Sequence, residues 1–179
     1  KNQMIQISGE NQSNEIRQKL SQLVTKGQKT YTPTQLVVEN AEGIWLQNTE
    51  GVKLMDFASG VLVANLGHQH PYFEQKLSNY ANGLPRNAYN LLTKVEVEAA
   101  QRLIESFDLP HMQKVMWAAC GSAGIIKAMW AAQNYHPDRH IILATRHGFH
   151  GKKGLAGDIT GDQSKNPNVR WIDFPMVGD

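Results

Sequence analysis

The chain has 179 residues, of which 41% are hydrophobic and 19% charged, with a formal net charge of +2 at pH 7. That composition supports one sizeable core, and a charge this small and scattered argues against nucleic acid or an anionic membrane as a partner. A single cysteine, Cys120, excludes an intrachain disulfide framework, and no run approaches the ~20 apolar residues that span a bilayer, so a soluble cytoplasmic protein is expected.

Residues 1–12 show no periodicity and read as a loose arm. Ile16, Leu20, Leu23 and Val24 then share one face of a helix that stops at Gly27. Three apolar runs follow, Leu36–Val38, Gly43–Leu46 and Lys53–Phe57. The turn-rich stretches Asn40–Gly43 and Asn48–Gly51 separate them, which is the pattern of a small antiparallel meander. Between Gly60 and Gly67 lies another apolar run, and Pro71 suits the first turn of a helix marked by Phe73, Leu77 and Tyr80 that closes at Gly83. The capping box Thr93–Glu96 opens a further helix with Ala99, Ala100, Leu103, Ile104 and Phe107 on its core face.

Lys114–Ala118 reads as a buried strand, Cys120–Gly124 as a small-residue turn, and the stretch from about Ser122 to Tyr135 as a helix apolar on nearly every side, hence a buried one. His140–Ala144 and Val169–Asp173 are further strands. Strand, helix, strand in this order implies a right-handed crossover and a parallel sheet, so the fold class is α/β. Thr145–Gly154 is a glycine-rich loop leaving the carboxyl end of a strand, where open α/β sheets bind ligands, and it shares that edge with the turn at Gly121.

The turn at Gly121–Gly124 has the composition of an anion site. Unpaired N–H groups at a helix N-terminus attract negative charge, Gly121 lets a ligand approach the backbone, and the Ser122 hydroxyl adds a donor. The lysine of a P-loop and the glycine spacing of a dinucleotide fingerprint are both missing. An ordinary N-cap at Ser122 is the plainer reading. A nucleophile elbow is another, with Ser122 attacking and His147, His150 or Asp158 as partners. His68, His70, His147 and His150 have neither zinc spacing nor cysteine support, so no metal is expected. Lys152 and Lys153 read as a solvated pair, and Phe149 either as a buried anchor or as a ring that stacks on a flat heterocycle.

Three stretches in order carry a family resemblance. They are Gly51-Val52-Lys53-Leu54-Met55-Asp56-Phe57-Ala58-Ser59-Gly60 with Asn65-Leu66-Gly67-His68-Gln69-His70-Pro71, then Gly121-Ser122, then Phe149-His150-Gly151. Together they resemble the N-terminal portion of a class III aminotransferase, of the ornithine and 4-aminobutyrate type. The resemblance implies an aspartate-aminotransferase-like large-domain sheet (PLP fold type I). Residues 1–65 would be an arm, helix and meander of the small domain, and residues 66–179 the first part of the large domain. It implies pyridoxal 5′-phosphate as cofactor. Its phosphate would be bound by Gly121, Ser122 and the amide of Ala123, its ring would be stacked by Phe149 with His150 adjoining, and Val61 would line the substrate side. An amino donor, a keto acid acceptor and a homodimer are implied as well.

Ala123 departs from the acidic residue usual after glycine-serine, which leaves a non-catalytic protein of the same fold as an alternative. The family's Schiff-base lysine and its aspartate partner of the pyridine nitrogen are expected beyond Asp179. None of Lys114, Lys127, Lys152, Lys153 and Lys165 stands in the matching motif, so these residues alone are expected to be inactive.

Overall fold

Turn chemistry shapes the first part of the chain. In the computed structural model, which describes residues 4–25, 32–84 and 89–174, the backbone divides into two units, 1–89 and 90–179. The first holds the expected meander: β1 (Val38–Glu42), β2 (Trp45–Asn48) and β3 (Lys53–Met55) pair antiparallel in that order. Glu42 faces Trp45 across the ladder, so Gly43 and Ile44 form a two-residue hairpin loop. Asn40 and Ala41, read above as turn residues, therefore lie within β1 opposite Gln47 and Leu46.

Helix α1 (Asn11–Leu23) forms, but the side chains it buries are polar. Ser13 and Arg17 are enclosed, whereas Leu23 is 82% exposed. The Ser13 hydroxyl donates to Glu50 Oε2 at 2.6 Å and meets Thr49 Oγ1 at 2.7 Å, while the Ser13 amide donates to Glu50 Oε1 at 2.9 Å. Arg17 donates from Nε to the Gln35 carbonyl at 3.0 Å and pairs with Glu10. Fully partnered polar groups tolerate burial. The apolar stripe led by Ile16 is thus not the docking face. The Ser13 bonds hold Glu50 below the usual carboxylate range, against the opposing effect of its partial burial. The stop at Gly27 lies outside the described residues. After β3 come the single turn α2 (Ser59–Leu62) and α3 (Pro71–Ala81), with Pro71 in the first turn as expected.

The second unit begins with α4 (Lys94–Phe107). Its Thr93 hydroxyl accepts from the Glu96 amide at 3.3 Å, and Asp108 closes it in a left-handed conformation. Helix α5 (Gly121–Tyr135) precedes β4 (Ile142–Thr145), α6 (Gly154–Asp158) and β5 (Val169–Ile172). β4 and β5 run parallel, with Ile142 opposite Val169 and Thr145 opposite Ile172. Ala144, Ile159 and Val169 form the core, flanked by Ile125 and Met129 of α5 and by Ile142 and Trp171.

Two expectations for this unit are corrected. Lys114–Ala118 is not a strand, because a strand requires a ladder partner and none pairs with it among the described residues. The Lys127 ammonium of α5 donates to the Trp117 carbonyl of this stretch. Nor is α5 a buried helix: Trp130 is 54% exposed, and only the side with Ile125 and Met129 packs on the core. The core face of α4 is likewise open at Leu103 and Phe107. Apolar side chains on these helices, among them Trp130, Leu103 and Phe107, thus remain exposed beyond the side of α5 that packs on the core.

Candidate active site

The site is built where α5 starts. Cys120, the N-cap, is extended, with φ −163° and ψ 169°, and offers no side-chain cap. The first backbone bond of the helix runs from the Gly124 amide to the Cys120 carbonyl at 3.0 Å. The amides of Gly121, Ser122 and Ala123 therefore have no acceptor among the described residues, as geometry dictates for the first turn of a helix. Gly121 and Ser122 open on a cavity of about 560 Å³ whose wall also includes Cys120 and Ile125 beside them and Phe149, His150, Gly151, Lys152 and Lys153 from the loop after β4. A Cβ on Gly121 would meet nothing within 4 Å, so the backbone there is open to a ligand.

The loop is tied to the helix at Ser122. The Lys152 amide donates to Ser122 Oγ at 3.2 Å, which occupies one lone pair of the hydroxyl and leaves its proton free to donate. Gly151 makes this approach possible. It is buried at φ +142°, and a Cβ there would lie 2.5 Å from Ser122 Oγ and 2.9 Å from Ala156 Cβ. Thr160 fastens the other side: its Oγ1 accepts from the amides of His150 at 2.9 Å and Gly151 at 3.2 Å, and lies 2.8 Å from the Gly151 carbonyl and 2.9 Å from that of Ala156. A second clasp joins Gly148 to Gly161, the Gly161 amide donating to the Gly148 carbonyl at 2.9 Å.

The cavity suits a planar, phosphorylated ligand. Unpaired amides, a free hydroxyl proton and the positive end of a helix dipole are a set of donors that could cup a phosphate. Lys152 and Lys153, read above as a solvated pair, are exposed yet line the same cavity and add positive charge beside the cup. Phe149 is 70% exposed on the wall, and His150 Nε2 is buried with no hydrogen-bond partner among the described residues. Gly121, Ser122, Ala123, Phe149 and His150 are thus gathered in one unit. Val61 belongs to the other unit and is described there alone, on the exposed turn α2.

Thr160 and Gly151 carry the loop; Gly151 was read only as the last residue of the Phe149-His150-Gly151 element, and Thr160 was not singled out. A threonine after a short helix has no distinctive spacing, whereas a glycine next to Phe149-His150 could have signalled close backbone approach. Among the described residues no three His, Cys, Asp or Glu side chains come together as a metal site, and no helix is long and apolar enough to cross a membrane.

The Aminotransferase class-III family model matches residues 26–169 of the chain. The chain belongs to the class-III aminotransferase family. It is 32% identical over 162 residues to acetylornithine aminotransferase from Brucella melitensis, covering 84% of this chain and 39% of that protein. Ornithine aminotransferase 2 of Staphylococcus saprophyticus is 28% identical over 133 residues, 70% of this chain and 33% of that one. The chain therefore spans about two fifths of the length of the first of these relatives.

Among solved structures, taurine:2-oxoglutarate aminotransferase from Bifidobacterium kashiwanohense, in complex with PLP and glutamate, superposes with a TM-score of 0.79 at 20% identity, over 96% of this chain and 39% of that one. Ornithine aminotransferase from Toxoplasma gondii gives a TM-score of 0.77 at 19% identity, over 90% and 40%. These likenesses establish the aminotransferase fold expected from the motifs.

Membership of this family sets aside the nucleophile-elbow reading of Ser122. The conformation agrees: an elbow serine sits on a strained turn straight after a strand, whereas Ser122 is the second residue of α5, its φ is not positive, and the stretch 113–120 that leads into it is not a strand.

Proposed function

We propose that the whole protein is a pyridoxal 5′-phosphate-dependent aminotransferase that moves an amino group between an amine or amino acid and a keto acid or aldehyde. The observation that carries this reading is the single cavity lined by Gly121 and Ser122 of the first turn of α5 and by Phe149, in a chain of class-III aminotransferase descent. When bound, the cofactor supplies an electron sink for exchange of an amino group with a carbonyl.

The residues of this chain hold and orient it. The amides and hydroxyl fix the phosphate, Lys152 and Lys153 raise the local positive potential, Phe149 covers one face of the ring, and Val61 meets the substrate. Residues 1–65 belong to the small domain and 66–179 to the first part of the large domain. The protein works as a cytoplasmic homodimer, and the apolar faces left open on α4 and α5 are covered in that assembly. No lysine of this sequence takes the covalent role, so a polypeptide of these 179 residues alone transfers no amino groups.

The test uses the whole protein, purified, with a panel of amino donors and keto acids and with product identification. The expected result is a keto product and a new amino acid in equal amounts, dependent on added cofactor. Bound cofactor with no amino transfer to any acceptor would overturn the reading.

A further inference from the structure

The backbone between β3 and α3 adopts an unfavourable conformation. Ser59, Gly60, Val61 and Leu62 have φ of +48°, +56°, +62° and +65°, four left-handed residues in succession of which three carry side chains. L-residues resist this region because Cβ crowds the following carbonyl. Burial does not offset the strain within the unit, since Val61 and Leu62 are each 82% exposed and Val63 79%. A strained turn that presents apolar side chains outward is suited to contact with something other than its own core.

The turn is held from below by one carboxylate. Asp56 Oδ1 accepts from the Ala58 amide at 3.0 Å, and Oδ2 accepts from the Gly60 amide at 2.8 Å and lies 2.8 Å from His68 Nε2. His68 is itself fixed, because its amide donates to the Gly43 carbonyl at 2.8 Å and its carbonyl accepts from the Gly43 amide at 2.9 Å. A carboxylate at the start of the loop is therefore locked to a ring at its end, and the ring is anchored on the β1–β2 hairpin. The His68 hydrogen bond, followed by the two amides, also holds the Asp56 carboxyl below its usual range.

We propose that Asp56 and His68 are positioning residues that clamp the left-handed turn Ser59–Leu62 and so fix Val61 against the carbon chain of the amino donor. This rests on the aminotransferase reading above. Both act through the turn, by the bonds from the Ala58 and Gly60 amides and from His68 to Asp56.

The test compares His68→Ala and His68→Gln with the wild type in the whole protein. Gln retains an N–H donor where His68 Nε2 stands. Backbone hydrogen exchange across residues 57–64 reports the clamp itself, and steady-state kinetics report its effect on the donor. In His68→Ala, exchange should quicken about tenfold as the turn opens locally. The donor KM should rise about tenfold, with kcat and cofactor affinity within about threefold, as expected when only a positioning surface is lost. His68→Gln should restore both readouts to near wild type.

Unchanged exchange in His68→Ala would overturn the clamp. Faster exchange with an unchanged donor KM would overturn its link to the substrate. If the wild type itself transfers no amino group, the aminotransferase reading fails, and the positioning role fails with it. Should His68→Ala not fold, Asp56→Asn, which breaks the same lock but keeps an acceptor oxygen, is read by the same two measurements.

Discussion

Replacing Gly151 by alanine probes the join between the loop and the helix. The new methyl would meet Ser122 Oγ at 2.5 Å, Ser122 Cβ at 2.9 Å and Ala156 Cβ at 2.9 Å, from a backbone φ of +142° that L-residues rarely adopt. Ala156 is fully buried, so it has little room to retreat. Backbone strain together with overpacking should destabilise the fold by about 2–4 kcal/mol. The same shift should displace the Ser122 hydroxyl and break its bond from the Lys152 amide. Losing a hydrogen bond to a charged phosphate costs about 1.5–3 kcal/mol, or roughly 10- to 150-fold in affinity. The assay titrates the whole protein with pyridoxal 5′-phosphate and with pyridoxal, following cofactor absorbance, beside a urea unfolding curve. Gly151→Ala should weaken the phosphorylated ligand by that factor and pyridoxal by much less. Wild-type stability and affinity in the variant would refute the packing of Gly151 against Ser122.

Three further outcomes are expected. Ser122→Ala should weaken pyridoxal 5′-phosphate by about 1.5–3 kcal/mol without changing the unfolding midpoint much; an unaltered titration would remove the hydroxyl from the cup. Thr160→Val keeps shape but strips the acceptor from the His150 and Gly151 amides, at a cost of about 1–3 kcal/mol in denaturant unfolding, and no loss would show that water serves those amides as well. Asp56 has a folded pKa lowered chiefly by His68, so its contribution to stability is complete at neutral pH. That contribution begins to fail as pH falls below the unfolded carboxylate value of about 3.9 and is gone below the lowered folded value. Asp56→Asn should therefore be less stable than wild type at pH 7 and converge with it in acid, and an equal deficit at both pH values would count against this linkage.

What the sequence disclosed follows from the range of the forces involved. The second hairpin turn, the helix from Pro71, the Thr93 cap and the helix from Gly121 are local events, and each was legible from residues a few positions apart, whereas the first turn sits at Gly43–Ile44, past the Asn40–Ala41 start expected for it. A parallel sheet was expected from the order Lys114–Ala118, helix, His140–Ala144; the parallel pair that forms is β4 with β5, and Lys114–Ala118 takes no part in it. Burial was not legible. Apolar periodicity pointed to Ile16 as the inner face of α1, yet Ser13 and Arg17 are buried because Glu50 and the Gln35 carbonyl, far along the chain, satisfy them. Lys114–Ala118 has strand composition but lacks a ladder partner among the described residues. Gly121, Ser122 and Phe149, named from motifs, line one cavity. Thr160 was not named, because a hydroxyl that gathers two amides and two carbonyls is visible only once the loop has folded back on it.

The central claim is that the first turn of α5 seats the cofactor phosphate, and backbone hydrogen exchange at that turn tests it most directly. In the whole protein, adding pyridoxal 5′-phosphate should slow exchange at the amides of Gly121, Ser122 and Ala123, while the Gly124 amide, already bonded to Cys120, should change little. Tight cofactor binding with no added protection at residues 121–123 would contradict the account.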